Sequence, residues 1–282
     1  MKKIPVYGFA DEASANFAGQ IAALLRNGMR GIEIRNVDGE NVSDISLEKA
    51  REVRKQLDAN QLVTWSIGSP IGKIDIREAG FEKHLDKLRH TLEVARILGA
   101  GYIRMFSFYI PSGEAPAACR DAALERLTRM AELAEGSGVR LCHENEKGIY
   151  GDNAERCADI HRSIPQIGGV FDPANFIQTG QDTAEAWKLL KPWIVYLHVK
   201  DADANGGVVP AGRGVGAVEA ILRDFIAGGG QGVTLEPHLS VFDGLLKLER
   251  EGERSGIGHY VYGSGDEAFD AAAAALRELL ER

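Results

Sequence analysis

Eight short apolar runs, each followed by a longer amphipathic stretch, predict an α/β fold: a single (β/α)8 TIM barrel with an insertion after strand eight. Two further observations support it. The chain has 282 residues, about the length that eight βα units need. The first run is followed by ADEASANF (10–17), not by the GxGxxG turn that usually opens a doubly wound sheet. No linker, low-complexity tract or charge block divides the chain, so residues 1–282 are expected to form one domain.

The elements follow in order. IPVYGFA (4–10) is the first strand, and NFAGQIAALLRNG (16–28) has helical periodicity closing on Gly28. GIEIR (31–35) and SLEKAREVRKQL (46–57) repeat the pattern. LVTWSIG (62–68) precedes FEKHLDKLRHTLEVARILG (81–99), which stops at Gly99. YIRMFSF (102–108) precedes AALERLTRMAELAEG (122–136), which stops at Gly136. VRLCHENE (139–146), GGVFD (168–172), IVYLHVK (194–200) and GVTLEP (232–237) complete the eight, and DEAFDAAAAALRELLER (266–282) is the last helix. The irregular stretch 240–265 is the insertion, read as a lid or an oligomer contact at the mouth.

Composition narrows the function. The net charge is −8 with scattered Lys and Arg, which argues against a nucleic-acid partner. Three cysteines without a CxxC support neither a disulfide framework nor a structural zinc site. The apolar run at the N-terminus is too short for a signal peptide, and no stretch approaches a membrane span. The expected setting is cytoplasmic, with no membrane partner.

Strand alternation sorts the charged residues. Cys142, Glu144 and Glu146 share the inward face of strand five, and Val170 and Asp172 that of strand six. Tyr196, His198 and Lys200 share that of strand seven; Thr234, Glu236 and His238 share that of strand eight. Four successive strand ends therefore aim Glu144, Asp172, His198 and Glu236 at the axis, 28, 26 and 38 residues apart. Catalytic residues in such barrels come from these C-terminal ends. Three carboxylates in one low-dielectric pocket repel each other, and a divalent cation relieves that. Three oxygens donors and an imidazole suit Mn²⁺ or Mg²⁺, with Co²⁺ or Zn²⁺ also admitted. Any one of the four alone would more often be a cap, a surface acid or a core histidine; the register across four strands carries the metal reading.

With these residues aligned, the sequence resembles the xylose isomerase-like barrel superfamily, and within it the sugar phosphate isomerase/epimerase group, related to ketose 3-epimerases and inosose dehydratase. The likeness lies in LCHENEKGIYGD (141–152), GGVFDPANF (168–176), YLHVKDAD (196–203) with GRGVG (212–216), and GVTLEPHL (232–239), and spans essentially the whole chain. It implies one divalent ion on Glu144, Asp172, His198 and Glu236, with Glu144 and Glu236 as the catalytic acid/base pair. The implied reaction is isomerisation or epimerisation of a small sugar, keto-sugar or cyclic polyol through proton transfer and an enediolate. A metal-dependent lyase of the inosose dehydratase type is the alternative, and a non-catalytic sugar-binding protein a third reading. Asn175 stands where ketose 3-epimerases tend to have His, which departs from a plain ketohexose pattern. The same departure, and the absence of a His/Asp pair in PAGRGVG (210–216), separates the chain from endonuclease IV.

The residues expected at the substrate are Lys200, Glu146, Arg213, His238, Arg104, Asn175 and Trp65. Lys200 could orient a substrate oxygen, or pair with an acid such as Glu146. Arg104, with Phe106 and Phe108 on the inward face of strand four, binds substrate or braces the barrel, and Glu33 braces it. Arg213, in a glycine loop before a helix, could clamp an anion or sugar oxygen; otherwise it is a solvated turn residue. Trp65 could stack on a sugar, though tryptophan is more often core. His143 is read as packed toward the helices, and His84, His90 and His161 as surface residues on helices. His259 and Tyr260 could reach a neighbouring site in a homo-oligomer, a state the sequence leaves open.

Overall fold

The computed structural model of the chain describes residues 4–240 and 260–282. Eight parallel strands close into a barrel: β1 (Val6–Gly8), β2 (Gly31–Ile34), β3 (Val63–Gly68), β4 (Tyr102–Met105), β5 (Arg140–Glu144), β6 (Gly168–Phe171), β7 (Ile194–Val199) and β8 (Val233–Leu235). Each pairs with its neighbours in the chain, and β1 closes the ring on β8 through Val6 opposite Val233 and Gly8 opposite Leu235. The strands fall inside all eight apolar runs. Closure leaves no open sheet edge, and the alternation of side chains makes one face a barrel interior.

The helices are α1 (Phe17–Arg26), α2 (Leu47–Ala59), α3 (Phe81–Leu98), α4 (Pro116–Ala134), α5 (Ala154–Ser163), α6 (Pro173–Gln178), α7 (Thr183–Leu190), α8 (Val218–Ala227) and α9 (Gly265–Glu281). Local chemistry sets their ends. Asn16 caps α1 by accepting from the amides of Ala18 and Gly19, and Ser46 caps α2 through Lys49. Gly99 ends α3 in the left-handed region, φ 73°, where a side chain would be strained. Phe17, Ile21 and Leu24 of α1 recur at helical spacing and are buried against the sheet. The main core is this ring between barrel and helices. Each fully buried Leu, Ile or Phe there contributes roughly 1.5–3 kcal/mol.

The interior of the barrel is divided. Near the N-terminal ends of the strands, Tyr7 stacks on Trp65 with ring centroids 4.6 Å apart, and Trp65 meets Tyr102 at 4.9 Å. Cys142, Val170 and Tyr196 pack above them. This apolar plug leaves the C-terminal half to polar side chains.

Three expectations change. His84 and His161 are not on the surface: His84 is buried and accepts from the Gly72 amide at 2.8 Å, and His161 is buried with Nδ1 3.2 Å from the Ile167 carbonyl. Helical periodicity located the helices but not which polar side chains turn inward on them. Phe108 does not face the barrel interior. β4 ends at Met105, so strict alternation stops there, and Phe108 packs edge-on against Phe81 of α3. His143, by contrast, faces the helices and bonds Ser107 Oγ at 2.9 Å, near the ring of His161. His259 and most of the insertion lie outside the described residues. Among the described residues, no helix is long and apolar enough to cross a membrane.

Candidate metal centre

Glu144 is the last residue of β5, Asp172 follows β6, His198 is the penultimate residue of β7, and Glu236 follows β8. All four are buried, and each offers a ligand atom within 4.8 Å of the others. The strand ends thus gather the four residues whose register singled them out.

Local structure orients each one. Asp172 divides its carboxylate between two tasks. Oδ1 caps α6 by accepting from the Asn175 amide at 2.9 Å. Oδ2 is buried without a well-directed hydrogen bond, although the Lys200 ammonium lies 2.8 Å away. His198 is held by both ring nitrogens. Nε2 lies 3.1 Å from Glu33 Oε2, and Nδ1 lies 2.8 Å from Glu144 Oε1 and 3.4 Å from Glu236 Oε2. A Glu33 carboxylate accepting from Nε2–H leaves Nδ1 as the ligand atom, the usual carboxylate–histidine–metal arrangement. Tyr196 donates to the other oxygen of Glu33 at 2.9 Å. Arg104 donates to Glu144 Oε2 at 2.9 Å.

The donor set fits a hard divalent ion: three carboxylates and one imidazole, buried, with an oxygen of Asp172 left without a well-directed donor. The electrostatics agree. Burial, with Glu236 and Glu144 beside it, raises the Asp172 carboxyl to about 8 against the pull of Lys200. Burial would also raise Glu236, but Lys200, His238 and His198 outweigh it and hold that carboxyl well below its ordinary range. Burial would lower His198, but Glu144, Glu33 and Glu236 hold it well above. Such mutual dependence is what a cation at the centre resolves.

Around the four lies a second tier. Lys200 bridges Asp172 and Glu236, the latter at 3.1 Å. Glu146 forms its ion pair with Lys73 at 3.0 Å, partly exposed at the mouth; burial would raise its carboxyl, but the charges of Lys73 and Lys200 and the amide and charge of Lys147 hold it down to about 2. Asn175 Nδ2 donates to the Asn145 carbonyl at 2.8 Å and lies 3.5 Å from Glu144 Oε1. His238 is buried in the left-handed region, φ 46°. Its amide donates to Glu12 Oε2 at 2.6 Å, and its Nε2 lies 3.4 Å from Glu12 and 3.5 Å from Glu236. Arg35, with its side chain fully buried, binds Asp11 at 2.9 Å, Glu12 at 3.0 Å and Glu236 at 3.3 Å. Glu12, Glu236 and His238 form a second close group of metal-ligating types, and Arg35 already binds both of its carboxylates.

Two expected substrate residues lie elsewhere. Arg213 is half-exposed and pairs with Glu278 on α9 at 3.2 Å. The amides of its glycine loop are taken as well. Asp201 accepts from Gly212 and Gly214 through one oxygen and from Gly216 and Ala202 through the other, at 2.9–3.0 Å. A Cβ at Gly214 would lie 2.2 Å from the Ala202 carbonyl, so glycine is required for this wrapping. Trp65 belongs to the aromatic plug, at the other end of the barrel from the carboxylates.

The sequence reading passed over Asp11, Glu12, Arg35 and Lys73 as site residues. Asp11 and Glu12 carried a usable signal, since they are acids directly after the first strand. Arg35 follows β2 in the same way. Lys73 arrives from a loop beyond β3, and nothing local marks it.

A family model for xylose isomerase-like TIM barrels matches residues 21–238. No curated protein matches the sequence. Among solved structures, the probable 3-DHS dehydratase AsbF from Bacillus anthracis is 17% identical with a TM-score of 0.75, over 99% of this chain and 100% of that one. The 3-keto-D-glucoside 4-epimerase YcjR from E. coli is 14% identical with a TM-score of 0.72, over 99% and 100%. The IOLI protein with a bound zinc atom is 17% identical with a TM-score of 0.74, over 99% and 98%. At these identities the likeness is one of fold.

Proposed function

Since the chain belongs to the xylose isomerase-like TIM barrel family, we propose that it is a divalent-metal-dependent isomerase or epimerase of a small sugar, keto-sugar or cyclic polyol. The observation that carries this reading is the convergence of Glu144, Asp172, His198 and Glu236 within 4.8 Å at the C-terminal ends of four strands. Those four residues would hold one divalent ion, Mn²⁺ or Mg²⁺, with Nδ1 as the atom His198 offers it. When bound, the ion supplies Lewis-acid polarisation of a substrate carbonyl.

The remaining work belongs to the chain. Glu144 and Glu236 come from β5 and β8, with the centre between them. One takes the proton from the carbon beside the carbonyl, and the other returns a proton to the opposite face or, by way of the oxygens, to the neighbouring carbon. Arg104 fixes Glu144 from beneath, and Arg35 fixes Glu236. Lys200, whose ammonium is held charged by Asp172 and Glu236 against burial, stands ready to stabilise negative charge on an enediolate oxygen. The buried free thiols Cys119, Cys142 and Cys157 suit a reducing compartment, and we assign the protein to the cytoplasm.

The test is a panel of ketoses and inososes incubated with Mn²⁺-loaded protein in D₂O. Deuterium entering at carbon, with a new epimer or isomer formed, is the expected result. Loss of water from the substrate instead would make the protein a dehydratase, as AsbF is named. The same two glutamates could then remove a proton and protonate the departing hydroxyl. Absence of any exchange would leave a sugar-binding role.

A further inference from the structure

Resting on that isomerase reading, we propose that the substrate is uncharged: the site takes a neutral keto-sugar or polyol and rejects its phosphorylated and carboxylated relatives, with Glu146 enforcing the rejection. The argument starts from the cations. Each one in the network already serves a carboxylate of the protein. Arg35 binds Asp11, Glu12 and Glu236; Arg104 binds Glu144; Lys200 binds Asp172 and Glu236; Lys73 binds Glu146. In these described pairs six carboxylates share four side-chain cations, so none of the four cations is left without an acid of the protein. Among the described pairs, a phosphate or carboxylate reaching Arg35, Arg104 or Lys200 would have to break a buried pair and leave its acid uncompensated, which is strongly unfavourable.

The β7 side of the usual phosphate position of this fold is closed as well. The loops after strands seven and eight often supply amides to a phosphate. Here the amides of Gly212, Gly214 and Gly216 converge on Asp201, so an internal carboxylate holds the donors that an anion would need. Arg213, on the same loop, is turned out to Glu278.

Glu146 is where selection is set. The side chains of Arg35, Arg104 and Lys200 are 0%, 3% and 4% exposed, whereas Lys73 is 10% and Glu146 19% exposed. Lys73 is therefore the most accessible cation of the four to an incoming ligand, and Glu146 occupies it. Lys147, next in the chain, adds its charge on the same carboxylate and donates its amide to it at 2.9 Å. Specificity of this kind comes from repelling the wrong ligand as much as from holding the right one.

The experiment uses Mn²⁺-loaded protein and matched ligands: D-fructose, D-tagatose and scyllo-inosose against D-fructose 6-phosphate, D-tagatose 6-phosphate and D-tagaturonate. Calorimetric binding and deuterium exchange in D₂O are followed together. The neutral compounds are expected to bind at least about tenfold more tightly than their charged partners and to be the ones that exchange. Glu146→Gln frees Lys73 and should improve phosphate ester binding about fivefold or more without helping the neutral ligands. Lys73→Gln should instead deepen the rejection. A phosphate or uronate that binds more tightly than its neutral partner overturns the inference and leaves the isomerase reading standing. Unchanged phosphate binding in both variants overturns the role of Glu146. Absence of exchange in both series removes the isomerase reading and the inference with it.

Discussion

Glu33 shows how one buried carboxylate can act through another residue. It touches His198 Nε2 and is itself held by Tyr196. Glu33→Gln keeps the shape but weakens the pull on that N–H. Metal affinity should fall by about 10–100-fold, read by competition with a metal-sensitive chelating dye; an unchanged affinity would refute the triad. Glu236→Gln should lower turnover by about a hundredfold or more and lower the thermal melt as well, because Arg35 and Lys200 bind different oxygens of Glu236 and a single amide oxygen can serve only one of them. At this scale the sequence was informative where one rule applied, that inward acids at the ends of parallel strands converge. It found the four central residues because each lies on or directly after a strand. It left Arg213 and Trp65 between two readings because their settings depend on distant partners: Glu278 from the last helix, and Tyr7 from the first strand. Lys73 was invisible because only tertiary folding brings it to Glu146.

Among the elements, the loop after β7 is organised by a single side chain. Asp201 satisfies four amides, and removing it strands them in a largely buried setting. Asp201→Ala should therefore cost about 3–5 kcal/mol, measured by urea unfolding, and Asp201→Asn should cost less. The helix layer adds a pH dependence. Burial first of all pushes the His161 imidazole down to about 4, whereas the unfolded chain protonates it near its ordinary value of 6.5. The unfolded state thus binds the extra proton as pH falls from 6.5 to 4, and stability is lost across that window, by about 3 kcal/mol for a shift of this size. His161→Asn lacks this term, so the stability difference between wild type and variant should shift against the wild type as the solution is acidified through that range. Glu12, raised to about 8 mainly by burial, pulls the other way but is common to both proteins. Helix and strand positions were legible because their periodicities differ and glycines mark several helix ends. The burial of His84 and His161 was not, because it depends on a gap between helix and sheet that no local pattern encodes.

For the molecule as a whole, closure of β1 on β8 brings acids from both ends of the sequence to one axis, as the contacts of Glu12 and Arg35 with the β8 end show. Ligation of that axis should be felt globally. Manganese at a hundred times its Kd should stabilise the fold by about 2.7 kcal/mol, seen as a rise in Tm that a chelator reverses. Asp172→Asn, which retains a capping oxygen for α6, should lose the rise. The barrel was legible from its eightfold alternation; the partition of its interior into an aromatic half and a charged half was not, since that depends on which inward residues share a level. The partition has a practical side. Trp65 lies in the plug, Trp187 sits in the helix layer against Asp224, and Trp193 packs on His161 at the start of β7. All three indole chromophores are thus remote from the mouth. Their fluorescence should report loss of the native state while staying silent on occupancy, so ligand titrations on this protein call for a calorimetric or resonance signal instead.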